Sequence, residues 1–240
     1  PGELGWAARM VPGGTRHGPL KINVRPELEW SLEVDLGRPP KTLPTAGELE
    51  SLHRALQNEL STCDCAFQLC GFGPIAAAAR AGALISRYKP QRVMLVGIGG
   101  SFDTDRIAIG SACRFDQVVC SGIGVGVGNN HQSAQQIGWR QFSADGAQPE
   151  IGDLIRLDST FVEGVPSVGQ LLTCCSASAS LDEARQRRSR FPDAVAEDME
   201  GFAVALACAR LGRSLAILRG ASNVVGATDG WEHERALAAV

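Results

Sequence analysis

Short apolar runs alternate with segments of helical periodicity from about residue 42 to the end of the chain. The apolar runs predict strands, and apolar residues spaced three and four positions apart predict helices. The predicted strands are 66–69, 92–98, 117–120, 123–127, 171–175, 194–197 and 214–218. The predicted helices are 46–60, 75–88, 181–190, 201–211 and 231–240. This alternation is typical of an α/β protein in which helices cover both faces of a central mixed sheet.

Residues 1–41 do not share this pattern, since they are rich in Pro, Gly and Arg and show weak periodicity. Segments 20–24 and 30–36 are predicted as short strands of an irregular hairpin. We therefore divide the 240 residues into an irregular N-terminal extension, 1–41, and one domain, 42–240. A chain of this length can form a single substantial core.

Polar residues stand next to two elements near the C-terminus that are predicted to be buried. Helix 201–211 is apolar on nearly every face, which is typical of a buried helix, and Gly212 fits its C-terminal cap. The next strand, 214–218, ends in the polar run 219–223. Because ligands of open α/β sheets bind at the carboxyl ends of strands, this run predicts a binding site.

Three carboxylates, Glu197, Asp198 and Glu200, stand directly before helix 201–211. One interpretation needs no ligand, because acidic side chains at a helix N-terminus complement the helix dipole. The other assigns them to a substrate site, and the order of the surrounding motifs favours it.

These motifs resemble those of a known family. Residues 198–201 are Asp-Met-Glu-Gly, a buried helix and a strand follow, and residues 219–223 are Arg-Gly-Ala-Ser-Asn. This string resembles the nucleoside phosphorylase and nucleosidase superfamily. Gly226 and Trp231, which follow the Ser-Asn pair, make the resemblance strongest to the futalosine hydrolases within it.

The resemblance implies a three-layer α/β/α sandwich of the purine and uridine phosphorylase type, and a homo-oligomer that is a dimer or larger. It implies that Met199 and Glu200 hold the ribose, with Asp198 beside them in the substrate site. It also implies that Ser222 and Asn223 hold the base.

The same resemblance implies a glutamate near the start of the domain that activates water. Glu48 matches best, and Glu50 is the alternative. Without a substrate role, Glu48 fits a capping box with Thr45. The family's first strand is a continuous apolar run, whereas residues 39–41 (Pro-Pro-Lys) interrupt it here.

Strand 92–98 is apolar on both faces, as a parallel sheet requires, and it ends in a glycine-rich turn. Glycines at the end of a strand let a ligand approach the backbone, and the resemblance implies that Ile98, Gly99 and Gly100 line the nucleoside site. The resemblance places the phosphate-binding Arg and Thr of phosphorylases at Leu95 and Ile98. Neither side chain binds an anion, so water is the predicted nucleophile.

Strand 171–175 leads into residues 176–180 (Ser-Ala-Ser-Ala-Ser), where the resembling nucleosidases often place an aromatic residue that stacks on the base. This sequence has none there. Either stacking is absent, or Phe202 or Trp231 supplies it.

Composition narrows the choice of partners. The net charge of −3 lacks the basic excess that nucleic-acid binding needs, and no apolar run approaches the ~20 residues of a membrane helix. The eight cysteines are scattered through apolar elements, as free thiols are in a cytoplasmic protein. The Gly71-x-Gly73 turn lacks the third glycine of a dinucleotide site, and Cys63-x-Cys65 lacks partners at zinc spacing. We expect a cytoplasmic protein with a small-molecule nucleoside substrate, no cofactor and no metal.

The predicted function is hydrolysis of the N-ribosidic bond of a purine-type nucleoside that resembles futalosine, a 6-oxopurine nucleoside of menaquinone biosynthesis. Glu48, Glu200 and Asn223 are the predicted catalytic residues. The Asn223 amide donates a hydrogen bond but no proton, which suits a 6-oxopurine better than adenine. The alternatives are a nucleoside phosphorylase, a 5'-methylthioadenosine/S-adenosylhomocysteine nucleosidase and a non-catalytic nucleoside-binding relative.

Overall fold

The fold is built around a mixed β-sheet with helices packed against it. The computed structural model describes residues 8–11 and 68–227 and the single positions 232, 235, 236 and 239. Its strands are β1 (Ala8–Val11), β2 (Arg92–Ser101), β3 (Ala112–Arg114), β4 (Gln117–Cys120), β5 (Gly124–Val125), β6 (Gln132–Ser133), β7 (Leu154–Arg156), β8 (Gln170–Thr173), β9 (Ala194–Asp198) and β10 (Ser214–Val224). Its helices are α1 (Gly73–Tyr88), α2 (Leu181–Arg190) and α3 (Gly201–Arg210), with a short 3-10 helix at Gly128–Asn130. Within these described segments, no helix is long and apolar enough to cross a membrane.

Strand β2 lies near the centre of the sheet, whose order is β3-β10-β2-β9-β8-β4-β7. β10 runs parallel to β2, and β8 runs parallel to both β4 and β9. β9 meets β2 in the antiparallel sense, with Gly100 opposite Glu197 and Ser101 opposite Ala196. The carboxyl ends of β2 and β9 therefore meet, which brings the glycine-rich segment against the acidic one.

Strand β1 pairs antiparallel with residues 92–95 of β2. Part of the predicted N-terminal extension thus belongs to the central sheet. The predicted strands 20–24 and 30–36, the predicted helix 46–60 and the domain boundary at residue 41 lie outside the described residues.

Neighbouring residues of the central strands face opposite sides of the sheet, and both sides are covered. Val118 and Leu171 belong to a large core cluster that also contains residues of α1 and α3. Val119 and Leu172 belong to a second cluster, against which Phe191, directly after α2, packs. This alternation follows from the two-residue period of a strand, and it agrees with the predicted sheet covered on two faces.

Two strands are longer than their apolar runs. β2 continues to Ser101 and β10 to Val224, so the polar run 219–223 lies within a strand instead of after one. The pairing continues because β10 lies between β2 and β3 and bonds to both. A register shift between Ala221 and Asn223 marks an irregularity near its end.

Helix α2 has the predicted bounds, and α3 ends one residue before the predicted end. Gly212 has the left-handed conformation expected of a residue after a helix, with φ 63°. Gln68 and Leu69 are not in a strand, and Gly124–Val125 is the paired part of the predicted strand 123–127. It pairs with β6 in a separate two-stranded sheet, so the main sheet does not extend it.

Candidate active site

An open cleft lies where the ends of β2, β9 and β10 meet the loop after β8. Its volume is about 300 Å³, including the space at its mouth. The residues that line it are Gly100, Ala177, Ser178, Glu197, Asp198, Met199 and Asn223. Four predicted site residues, Gly100, Asp198, Met199 and Asn223, therefore come together, although three separate strands and their ends carry them.

A buried ion-pair cluster adjoins this cleft. Arg219, on β10, is 1% exposed. Its Nε donates to Asp198 Oδ2 at 3.1 Å, and its Nη2 contacts both that oxygen and Glu200 Oε2, the latter at 3.3 Å. Two carboxylates thus share one guanidinium, whose fixed fork of donors suits such pairing. No role of its own is predicted for Arg219 from the sequence. Only its position in the motif, before Ser222 and Asn223, indicates that it belongs to the site.

Asp198 is held in place by its neighbours on two further elements. Its Oδ1 accepts a hydrogen bond from Thr173 Oγ1 at 2.6 Å, and its Oδ2 accepts one from the backbone N–H of Gly201 at 2.8 Å. The second bond caps the start of α3, so the helix-start interpretation applies to Asp198. A Cβ on Gly201 would lie 2.8 Å from that Oδ2 and 2.8 Å from Leu171 Cδ2, which explains why this residue is glycine.

Glu200 is the N-cap residue of α3, but its side chain makes no capping hydrogen bond. Its Oε1 accepts instead from the backbone N–H of Gly73, at the start of α1, at 3.0 Å. Burial raises the pKa of Glu200 to about 7, while the charge of Arg219 lowers it and that of Asp198 raises it. Glu200 is buried and does not line the cleft itself. A carboxyl group with a pKa near neutral therefore lies directly beside the residues that line the cleft.

Ser222 and Asn223 form a hydrogen-bonded pair at the other side of the motif. Ser222 is fully buried, and its Oγ lies 2.8 Å from Asn223 Oδ1 and 3.2 Å from the Gly99 carbonyl oxygen. Asn223 Nδ2 donates to the Val224 carbonyl oxygen at 3.0 Å, which assigns the orientation of the amide. That contact uses one of the two N–H groups, and no contact of the other with a described residue is seen. Ser222 supports Asn223 and does not itself line the cleft.

The glycines at the end of β2 have a packing reason. A Cβ on Gly99 would lie 2.9 Å from the Glu197 carbonyl oxygen, and one on Gly100 would lie 2.8 Å from Val225 Cγ2. Of the three residues predicted here, Gly100 lines the cleft, whereas Ile98 and Gly99 are buried. Close contact between neighbouring strands therefore accounts for Gly99 without a ligand.

One of the two predicted stacking residues does not reach the cleft. Phe202 is 3% exposed and belongs to the hydrophobic core. Trp231, Glu48 and Glu50 lie outside the described residues. Among the residues that the structure describes, the lining of the cleft contains no aromatic ring.

Three residues of the cleft, Ala177, Ser178 and Glu197, have no assigned role in the predicted site. Glu197 is 5% exposed, and it accepts hydrogen bonds from Ser178 N–H at 2.7 Å and Ser178 Oγ at 2.9 Å. Arg187 of α2 donates to Glu197 Oε2 at 2.9 Å. In the sequence, Glu197 belongs to the acidic run and Ser178 to the serine-rich segment. No local pattern predicts that these two segments contact each other.

The described cysteines are free, as predicted. Cys70 is fully buried close to the ion-pair cluster. Burial and the charge of Glu200 raise the pKa of its thiol to about 12, although the charge of Arg219 lowers it. This thiol therefore stays protonated and is not a nucleophile.

A family model described as the phosphorylase superfamily matches residues 34–240. The chain belongs to this superfamily. The match spans the cleft, the ion-pair cluster and all the residues that the sequence analysis places in the site.

The curated relatives of this superfamily member include two kinds of nucleosidase. The 5'-methylthioadenosine/S-adenosylhomocysteine nucleosidase of Colwellia psychrerythraea is 26% identical over 175 residues, which cover 71% of each protein. The futalosine hydrolase of Streptomyces coelicolor is 32% identical over 150 residues, 62% of this chain and 61% of that protein. The chain thus spans between three fifths and three quarters of the length of these relatives.

Solved structures of the superfamily show the same fold. The 5'-methylthioadenosine/S-adenosylhomocysteine nucleosidase from Neisseria meningitidis, in complex with methylthio-immucillin-A, is similar with a TM-score of 0.59 at 16% identity, over 79% of this chain and 91% of that one. The comparisons confirm the predicted superfamily and α/β fold, and they support an enzyme of the nucleosidase type.

Proposed function

We propose that this protein hydrolyses the N-ribosidic bond of a purine-type nucleoside, with a 6-oxopurine nucleoside of the futalosine type as its substrate. The observation that carries the proposal is the cluster of Asp198, Arg219 and Glu200 beside a cleft lined by Met199 and Asn223. A nucleoside needs acceptors for its ribose hydroxyls and a polar contact for its base, and this arrangement supplies both kinds of group.

Glu200, next in sequence to the lining residue Met199 and itself buried, is the proposed partner of the ribose. Cleavage passes through an oxocarbenium-like transition state, with positive charge on the ribose and negative charge on the leaving base. A carboxylate that accepts hydrogen bonds from the ribose hydroxyls stabilises that charge more strongly than it stabilises the neutral sugar. Arg219, which also binds Asp198, holds Glu200 from one side, and Gly73 holds it from the other.

Water is the proposed nucleophile, with Glu48 as its base and Glu50 as the alternative. Leu95 and Ile98 are both buried and apolar, so these positions present no cation or hydroxyl to a phosphate ion. Glu48→Gln is expected to abolish hydrolysis but to leave nucleoside binding measurable by calorimetry, because a base acts on the chemical step. The same loss in Glu50→Gln instead would transfer the role, and full activity in both variants would remove it from this segment.

Asn223 is the proposed contact of the base. One N–H of its amide donates to Val224, and the other, which bonds to no described residue, is the proposed donor to a ligand in the cleft. A 6-oxopurine presents an oxygen beside N7, so its edge offers two acceptors to a single donor. Adenine presents an amino group there, which gives the Asn223 N–H fewer acceptors.

A substrate panel tests the proposal directly. Futalosine, inosine and 5'-methylthioadenosine are each incubated with the protein, with and without phosphate, and the free base is measured by liquid chromatography. We expect base release from futalosine or inosine without phosphate. Release that requires phosphate would identify a phosphorylase, and no release from any of the three would indicate a nucleoside-binding relative.

A second candidate is a 5'-methylthioadenosine/S-adenosylhomocysteine nucleosidase. The relative from Colwellia psychrerythraea carries that name, as do the similar solved structures. The panel decides between the two, because this candidate releases adenine from 5'-methylthioadenosine faster than it releases hypoxanthine from inosine.

We also propose that residues 42–240 form the catalytic domain and that the protein works as a homo-oligomer. Ile123, Val125, Val127 and Trp139 expose 44%, 53%, 84% and 63% of their surface around the β5–β6 hairpin. Clustered exposed apolar residues are typical of subunit interfaces. Light scattering on the native protein and on Val127→Asp checks this, and a native monomer would contradict it.

A further inference from the structure

We propose that Glu197 is a positioning residue of the nucleoside site. Together with Arg187, it fixes the serine-rich loop, residues 176–180, as one wall of the cleft, and it thereby sets how tightly the base binds. This inference rests on the proposed function, because it names the part of that site that holds the wall of the cleft against the base.

Three donors converge on the Glu197 carboxylate. The backbone N–H of Ser178 donates to Oε1 at 2.7 Å, and Oε2 accepts from Ser178 Oγ and from Arg187 Nη1, both at 2.9 Å. The exposed fractions of the Glu197 and Arg187 side chains are 6% and 19%. Because water reaches this pair poorly, its attraction is screened less than that of a surface ion pair.

Arg187 also contacts the beginning of the loop. Its Nη2 lies 3.4 Å from Ser176 Oγ, so one guanidinium contacts both the loop and Glu197. The far end of the loop is held separately, because Glu183 accepts from the Ala179 N–H at 2.8 Å and donates its own N–H to Ser180 Oγ at 3.2 Å. That second hold is a capping box at the start of α2, on the exposed side of the loop.

The position of this loop bears directly on a ligand. Ala177, Ser178 and Glu197 line the same cleft as Asn223, the proposed contact of the base. Within the described lining, this wall is shaped by the polar contacts of Glu197 with Ser178. A loop that is released from Glu197 must be ordered again when the base binds, which weakens binding. The chemical step depends on Glu200 and its partners, so it is affected less.

The test compares Glu197→Gln and Arg187→Met with a matched control, Glu183→Gln. The control removes the other carboxylate that holds this loop, but its side chain does not line the cleft. Steady-state kinetics on the best nucleoside of the panel give kcat and KM, and calorimetry gives the Kd of free hypoxanthine and adenine. We expect Glu197→Gln and Arg187→Met to raise KM and the Kd of the base about tenfold with kcat within about threefold, and Glu183→Gln to change each by less than about twofold.

The double variant, Glu197→Gln with Arg187→Met, provides a further check. It is expected to raise KM no more than about twofold beyond either single variant, because the two residues act through one contact. If Glu197→Gln does not fold, Arg187→Met carries the same test, since it removes the ion pair from the side of α2.

Three results would overturn the proposal. The first is an unchanged KM and base Kd in Glu197→Gln and Arg187→Met with only a lower Tm, which would make the pair merely structural. The second is an equal rise of KM and base Kd in Glu183→Gln, which would show that any contact that holds the loop has this effect and that Glu197 has no special role. In both cases the native protein still cleaves its substrate, so the proposed function stands. The third is a native protein that neither cleaves nor binds any compound of the panel, which would remove the proposed function and this inference together.

Discussion

The backbone N–H of Gly73 donates a hydrogen bond to Glu200 Oε1 at 3.0 Å, so residues 127 positions apart meet in the buried part of the site. Gly73 begins α1, and Glu200 stands at the N-terminus of α3. The positive end of the α1 dipole therefore lies at this carboxyl group, and together with the Gly73 hydrogen bond it favours the charged form against the effect of burial. The proton affinity of Glu200 is thus a property of the tertiary arrangement, and measurements on it test that arrangement.

Glu200→Gln is expected to lower kcat by about a hundredfold or more while the protein stays folded. The neutral amide makes a weaker hydrogen bond to the ribose hydroxyls than a carboxylate does, and this difference is largest in the transition state. Steady-state kinetics measure kcat, and a thermal unfolding curve shows whether the variant is folded. Glu150→Gln is the control, because that carboxylate lies on the surface in an ion pair with Arg140. Near-native turnover of Glu200→Gln would remove Glu200 from the site.

The stability of the native protein is expected to depend on pH through Glu200. Burial raises the pKa of Glu200 from 4.5 to about 7, so the folded state binds this proton more tightly than the unfolded state does. The resulting stabilisation is complete below about pH 4.5 and is lost as the pH rises through about 7, and it is on the order of 3 kcal/mol.

Urea unfolding at pH 5.5 and 8.0 measures this effect as a difference from Glu200→Gln, which has no proton to lose. The free energy of unfolding of the native protein should fall relative to the variant as the pH rises. Parallel changes in the two proteins would contradict the raised pKa.

Asn223→Asp is expected to shift the base preference toward adenine. An aspartate here faces the Val224 carbonyl oxygen, which favours its protonated form, and a protonated carboxyl group donates a proton to N7 of a leaving adenine. A misplaced polar contact costs about 1–3 kcal/mol, so the ratio of inosine to 5'-methylthioadenosine cleavage should fall by about tenfold or more. A ratio unchanged within about twofold would show that Asn223 only supports its own backbone.

Gly201→Ala is expected to destabilise the protein by about 1–3 kcal/mol, because its Cβ must displace a buried neighbour. The new carbon would lie 2.8 Å from both Asp198 Oδ2 and Leu171 Cδ2. Gly82→Ala, within α1, is the matched control, since nothing lies within 4 Å of its Cβ position. That variant should gain up to about 1 kcal/mol in the free energy of unfolding, because alanine favours the helix. Equal stability of the two variants in urea would contradict the close packing at Gly201.

Features that depend on near neighbours along the chain could be predicted from the sequence. The bounds of α2, the left-handed Gly212 after α3 and the central apolar strand β2 all follow from local periodicity and glycine chemistry. The motifs also brought Asp198, Met199 and Asn223 to one site, because each stands at the end of a strand in the same sheet. Their residue types are enough to predict a polar site that fits a nucleoside.

The groups that hold these residues come from distant segments and could not be predicted from local sequence. Arg219 stands in a run that is polar in sequence, yet it is fully enclosed because β10 continues between β2 and β3. The partners of Glu197 lie on a loop and a helix that precede it, and the partner of Glu200 lies at the start of α1. Periodicity records which face a residue occupies, but it carries no information about which distant segment packs against that face. The pKa of Glu200, the role of Glu197 and the burial of Phe202 all depend on that packing.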